Sequence, residues 1–128
     1  MSVKSKKTKL WKLVSEYVRS RDADSQGYTF CYTCGEVKHW KEMDAGHAIG
    51  GRKNMVLFDL DLLRAQCKSC NGFRAGEHYL FGQKLNEEYG EGWFEQKLID
   101  SHKPRKFTES ELDDMITEIK KRLSELEN

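Results

Sequence analysis

Residues 31–71 read CYTCGEVKHWKEMDAGHAIGGRKNMVLFDLDLLRAQCKSCN, and they hold all four cysteines of the 128-residue chain. The cysteines form two pairs, Cys31-x2-Cys34 and Cys67-x2-Cys70. A tetrahedral Zn²⁺ site takes four soft thiolates, and each Cys-x2-Cys turn supplies two from one knuckle of backbone. One structural zinc bound by Cys31, Cys34, Cys67 and Cys70 is therefore expected, with His39 left as a surface imidazole. A compact zinc ribbon has roughly 15 to 20 residues between its pairs, whereas 32 residues (35–66) lie between them here. Something is built inside the clamp. The insert reads as an extended segment ending in His47 to Ile49, a Gly50-Gly51 turn, and a second apolar segment at Met55 to Phe58. That pattern predicts a hairpin whose first strand presents His47.

Cysteine pairs framing a hairpin with a central His, followed by a helix that opens with Asn, resemble the HNH, or ββα-metal, nuclease fold. Within that superfamily, AGH (45–47), Arg52, FD (58–59), AQC (65–67), CN (70–71), Gly76, Leu85 and Tyr89-Gly90 resemble the lambdoid-phage NinG/Rap recombination endonuclease family. The likeness covers residues 28–90, and the zinc, His and Asn arrangement is also similar to that of the phage junction resolvase endonuclease VII. The resemblance implies an α+β fold, a zinc-clamped ββα-metal (HNH-like) core flanked by N- and C-terminal helices. It also implies a metal-dependent endonuclease that hydrolyses branched recombination intermediates (Holliday junction, D-loop or flap). Such a phage or prophage protein would act in the cytoplasm of its bacterial host, with DNA as partner.

Phosphodiester hydrolysis needs a water deprotonated in line with the leaving oxygen, and neutral imidazole titrates near the working pH. His47 is the candidate general base; the bland alternative is a histidine that satisfies a hydrogen bond inside the fold. Asn71 offers a hard carboxamide oxygen suited to Mg²⁺ or Mn²⁺. Asn is also a good helix N-cap, and the resemblance assigns Asn71 to the catalytic metal. Many HNH enzymes carry an Asp just before the base, where this chain has Gly46. Asp44 is the natural replacement ligand, or a surface carboxylate. The central Asn of the HNH pattern is Leu62 here, and Asp59 and Asp61 are polar neighbours that either take over its bracing role or face solvent. Arg52 is placed to pair with the scissile phosphate, and Arg64, Lys68 and Arg74 to extend a basic groove.

Around this core the chain reads as a single domain. Hydrophobic residues make up 38% and mean hydropathy is −0.80, so the core is small. A structural zinc, worth on the order of 10 kcal/mol on folding, would supplement it. Residues 1–9 are a lysine-rich basic arm, either a solvated, disordered start or an arm lying on phosphates. Residues 10–27 hold an amphipathic helix and a loop: Leu10, Leu13, Val14, Tyr17 and Val18 recur at helical spacing from Thr8 to Arg21, and Trp11 is expected to pack. The HNH-like core covers 28–90, with His78 left as surface, and C-terminal helices cover 91–128. No apolar run reaches membrane-spanning length. Net charge is only +1, so charge asymmetry matters more than bulk charge. The first 12 residues carry five lysines and no acid, whereas residues 107–128 carry seven carboxylates against three bases.

Thr108-x-x-Glu111 is a capping box, and Leu112, Ile116, Ile119, Leu123 and Leu126 follow as a stripe. Two occupants fit that stripe, the protein's own core or a second copy in a homodimer. Beside the nuclease, two other classes stay open: a non-catalytic zinc-stabilised DNA-binding module, and a zinc-stabilised interaction protein. Cleavage that requires added divalent metal separates the first from the others.

Overall fold

A computed structural model describes residues 1–127, and the fold is α+β. Helix α1 (Val3–Ser20) is followed by the short strands β1 (Tyr28–Phe30) and β2 (Val37–His39). Strands β3 (Asp44–His47) and β4 (Leu63–Gln66) come next, and then helices α2 (His78–Tyr89), α3 (Trp93–Asp100) and α4 (Glu109–Leu126). Each strand pair is an antiparallel two-stranded sheet, β1 with β2 and β3 with β4. In the second sheet Asp44 faces Gln66, Gly46 faces Arg64 and His47 faces Leu63. No helix among the described residues is long and apolar enough to cross a membrane.

Helix α1 begins at Val3, where Ser2 Oγ accepts from the Ser5 backbone N–H, satisfying one of the orphan donors of the first turn. Residues 3–9 are therefore helical, neither a disordered start nor a free arm. One of their lysines meets the acidic first turns of α4: Lys6 Nζ lies 3.0 Å from Asp113 and 3.6 Å from Glu109. The uneven charge along the sequence is thus partly spent in pairing its two outer helices.

Leu10, Val14 and Val18 of α1 pack against Leu112, Ile116 and Ile119 of α4, with Ala45 and Leu63 of the second sheet closing the cluster. Burying one such Leu or Ile fully is worth about 2 kcal/mol. The α4 stripe is occupied by the protein's own core, leaving only Leu123 half-buried and Leu126 exposed. Both halves of the Thr108/Glu111 capping box form.

A second cluster joins Ala48, Ile49, Val56 and Leu62 to Phe81 and Leu85 of α2 and Phe94 of α3. Gly82 makes the α2–α3 approach possible, since a Cβ there would lie 2.5 Å from the Phe94 ring. The third cluster is the cysteine lobe, with Met43 and Ala65 packed among the sulfurs.

The partner of the His47 strand is not Met55–Phe58. That segment is a run of turns with Val56, Leu57 and Phe58 all buried; it fills two clusters at once, which no half-exposed strand can do. Pairing falls to residues 63–66, immediately before Cys67. Arg64 does not line a surface groove either. It is 7% exposed, and its guanidinium donates to the carbonyls of Leu60, Asp61 and Leu63 and to Tyr89 Oη at 2.8 Å, beside Glu88 at 3.2 Å. Leu62 is buried in the second cluster, and polar contacts in this loop are made by Asp59. Asp59 Oδ1 accepts from the Asp61 N–H at 3.0 Å, and its other oxygen pairs with Lys97 at 2.8 Å.

Candidate functional site

The four cysteine sulfurs lie within 4.8 Å of one another. A tetrahedral zinc with thiolates at about 2.3 Å requires S···S edges of about 3.8 Å, and Cys34 Sγ stands 3.7 Å from Cys67 Sγ. Both knuckles are set by backbone. Cys31 N–H donates to Glu36 O and Gly35 N–H to Cys31 O, with Gly35 at φ +80°, a conformation glycine adopts without cost. In the second knuckle the Cys70 N–H points at Cys67 Sγ, and Asn71 N–H donates to Cys67 O. Burial works against ionising Cys31, but the Thr33 hydroxyl and nearby backbone N–H groups outweigh it and bring the thiol down to about 6. Burial pushes Cys70 up to about 12. Four sulfurs this close could bind a structural metal such as zinc, and the donor set fits one.

Asn71 sits in the short π-helical turn Ser69–Phe73 directly after the cysteines, and its side chain does not cap that turn. Nδ2 donates instead to Asp44 Oδ2 at 3.1 Å, while Lys68 Nζ holds Asp44 Oδ1 at 2.7 Å. The structure thus brings Asp44 and Asn71 together. The Asn71 carboxamide oxygen has no protein donor among the described residues, and it and the Asp44 carboxylate are hard oxygens of the kind Mg²⁺ or Mn²⁺ takes. A cation there would displace the Lys68 ammonium.

Gly46 has a physical explanation. A Cβ at that position would overlap Gln66 Oε1, so the residue before His47 cannot carry a side chain while the diagonal neighbour Gln66 keeps this position. The Gln66 amide is fully buried, its Nε2 donating to Thr33 Oγ1 at 3.1 Å and to Gly76 O at 3.0 Å. Oε1 is buried without a partner. Gln66 therefore ties the first knuckle to the loop before α2, a role that sequence reasoning missed although the residue lies in the AQC word.

His47 is half-buried at the end of β3. Its Nε2 lies 3.1 Å from Leu57 O, so Nε2–H donates and Nδ1 is left as the acceptor nitrogen. Burial lowers the imidazole pKa from 6.5, the Leu57 carbonyl opposes that, and Arg52 and His78 push the same way as burial. The Trp11 ring stacks on His47 at 4.8 Å with an interplanar angle of 17°. Trp11 packs as expected, but against the candidate base itself. Arg52 is exposed in the left-handed region at φ +49°, its guanidinium carbon 5.5 Å from the Trp11 ring. The candidates thus fall into two groups, Asp44 with Asn71 and His47 with Arg52, and Trp11 borders both. His47 does not line the cleft that holds Asp44 and Asn71.

His39 and His78 make their hydrogen bonds elsewhere. His39 Nδ1 accepts from the Lys41 N–H. His78 opens α2, exposed, with Nδ1 2.8 Å from Ala48 O. Positive φ angles at Ala75, Gly76 and Glu77 break the helical path between Asn71 and His78.

No curated protein and no solved structure matches the chain. The family model described as Bacteriophage Lambda NinG protein matches residues 2–128, and the chain belongs to that family.

Proposed function

We propose that the protein is a metal-dependent endodeoxyribonuclease that hydrolyses phosphodiester bonds in branched recombination intermediates. Family membership supports the recombination setting. The observation that carries the catalytic step is the tautomer of His47. With Nε2–H committed to Leu57 O, Nδ1 is the nitrogen free to take a proton from water, and burial keeps the ring neutral. Asn71 Oδ1, with the Asp44 carboxylate, would hold Mg²⁺ or Mn²⁺. When bound, that ion supplies charge stabilisation at the phosphate and the leaving oxygen. Arg52 has an exposed guanidinium with which to meet a phosphate oxygen near His47. The four cysteines hold β3 and the Asn71 turn in fixed relation.

The test is incubation of the purified protein with a labelled four-way junction, a flap and a linear duplex in Mg²⁺, Mn²⁺ or EDTA. Cutting of a branched substrate that requires the metal is the expected result, and no cutting of any substrate with either metal overturns it. A zinc-clamped DNA-binding module is the second reading. It is favoured by Trp11 stacked on His47 and by Lys68 held against Asp44, and it predicts salt-sensitive DNA binding with no hydrolysis.

A further inference from the structure

Arg19, Lys41 and Lys68 reach one open cleft of about 390 Å³ from three different elements, the last turn of α1, the turn before β3 and the second cysteine knuckle. Asp44 and Asn71 line the same cleft. The Arg19 guanidinium carbon lies 5.2 Å and Lys41 Nζ 5.7 Å from the centre of the same indole, that of Trp40. Two cations are thus gathered on one ring. Among the described residues neither takes part in an ion pair with a carboxylate. Arg19 Nε is used by Ser15, whose carbonyl and hydroxyl oxygens both lie at 3.1 Å. This bond fixes the guanidinium plane, and its terminal nitrogens have no protein acceptor among the described residues. The one carboxylate of the cleft, Asp44, is already engaged by Lys68 and Asn71.

Like charges held together without a counter-charge repel, and an anion shared between them turns that repulsion into attraction. The planar, fixed edge of a guanidinium suits two oxygens of one phosphate, and an ammonium beside it adds a point charge. We propose that this cleft seats a backbone phosphodiester of the DNA strand, gripped by Arg19 and Lys41 and set beside Asn71. The ligand as DNA rests on the nuclease or DNA-binding reading above; the anion site itself rests only on the cleft. The site also gives Trp40 a purpose, since the indole gathers two cations that would otherwise spread apart.

The test uses the full-length zinc-loaded protein in EDTA mild enough to leave the zinc in place, so that binding is read without cutting. Fluorescence anisotropy of a labelled four-way junction is followed across salt for the wild type, for Arg19→Gln/Lys41→Gln, and for the control Lys120→Gln/Lys121→Gln on the exposed side of α4. The cleft variant is expected to bind about tenfold more weakly near 0.1 M salt, with a log–log salt slope smaller by about 0.9 for each lost contact. The control keeps the wild-type slope. A second arm titrates inorganic phosphate while the Arg19 Nε–H resonance is followed by NMR, and a shift absent from the Lys41→Gln variant is expected. A cleft variant with wild-type affinity and slope overturns the proposal, as does an Arg19 resonance indifferent to phosphate. A phosphate shift in a wild type that binds no DNA would keep the anion site and remove the DNA reading. Unchanged zinc content and melting temperature in the variants exclude loss of folding as the cause.

Discussion

Gln66 and Gly46 share one space: the amide oxygen of Gln66 stands where any side chain at position 46 would have to begin. The two residues belong to paired strands and lie on the same face of the sheet, two register steps apart, so position 46 cannot gain a side chain unless Gln66 gives way. Gly46→Asp, which would place a carboxylate directly before His47, should destabilise the fold by about 1–3 kcal/mol through overpacking. Adding Gln66→Ala should return part of that loss, so that the double variant is more stable than the sum of the singles predicts. Urea denaturation of the four proteins gives the coupling, and strict additivity contradicts the shared space.

Cys67→Ser should unfold the domain or nearly so, because Cys67 is 1% exposed and its sulfur belongs to the cluster that holds β4 against both knuckles. Metal analysis should find one zinc per chain, and that zinc should resist chelation at strengths that strip an oxygen-bound Mg²⁺. Native disulfides among these cysteines would contradict the assignment.

His47→Ala should keep zinc, fold and DNA binding while losing about 10² to 10⁴-fold in hydrolysis. The pH dependence has a definite sign. A folded pKa below 6.5 means that the neutral ring is the form favoured by the fold. Its contribution to stability is complete above pH 6.5 and is lost as pH falls through the folded value. The acid limb of kcat/KM should accordingly lie below 6.5, and an acid limb above that value would assign the base to another group.

Truncation after Phe107 should cause unfolding rather than a clean conversion of dimer to monomer, because α4 covers Leu10, Val14 and Val18. Leu112→Ala alone should cost about 2–5 kcal/mol. A homodimer through α4 remains a proposal that would have to be built from Leu123, Leu126 and the polar face. Sedimentation at micromolar concentration checks it, alongside the circular dichroism of the truncated chain.

The clustering of the four cysteines and the closeness of Asp44 to Asn71 were legible because ligand spacing and short words are local properties of sequence, whereas the separation of His47 from that pair was not. Strand β4 was not. Leu63-Arg64-Ala65-Gln66 is buried at every position, and its two polar members find partners from α2 and from the first knuckle, so no alternation betrays it. The apolar run 56–58 imitated a strand because it serves two clusters in irregular form. The helical start at Val3 was hidden by a run of lysines, one of which, Lys6, finds its counter-charges on α4. Convergence of Arg19, Lys41 and Lys68 on one cleft is a product of tertiary packing, and nothing in their separate surroundings announces it.

The pairing of α1 with α4 also has a consequence in time. Leu10 emerges early in synthesis and finds its partner only when Leu112 has been made, whereas the cysteine lobe closes as soon as Cys70 is available. Contacts so distant in sequence carry a larger loop-closure cost and form late. During that interval the part of the α1 apolar face that α4 covers is exposed, although Ala45, Leu57, Phe58 and Leu63 are already available to the rest of it. Zinc capture and helix docking should therefore appear as two kinetic phases on the ribosome or in refolding, and the nascent chain is most exposed to aggregation between them.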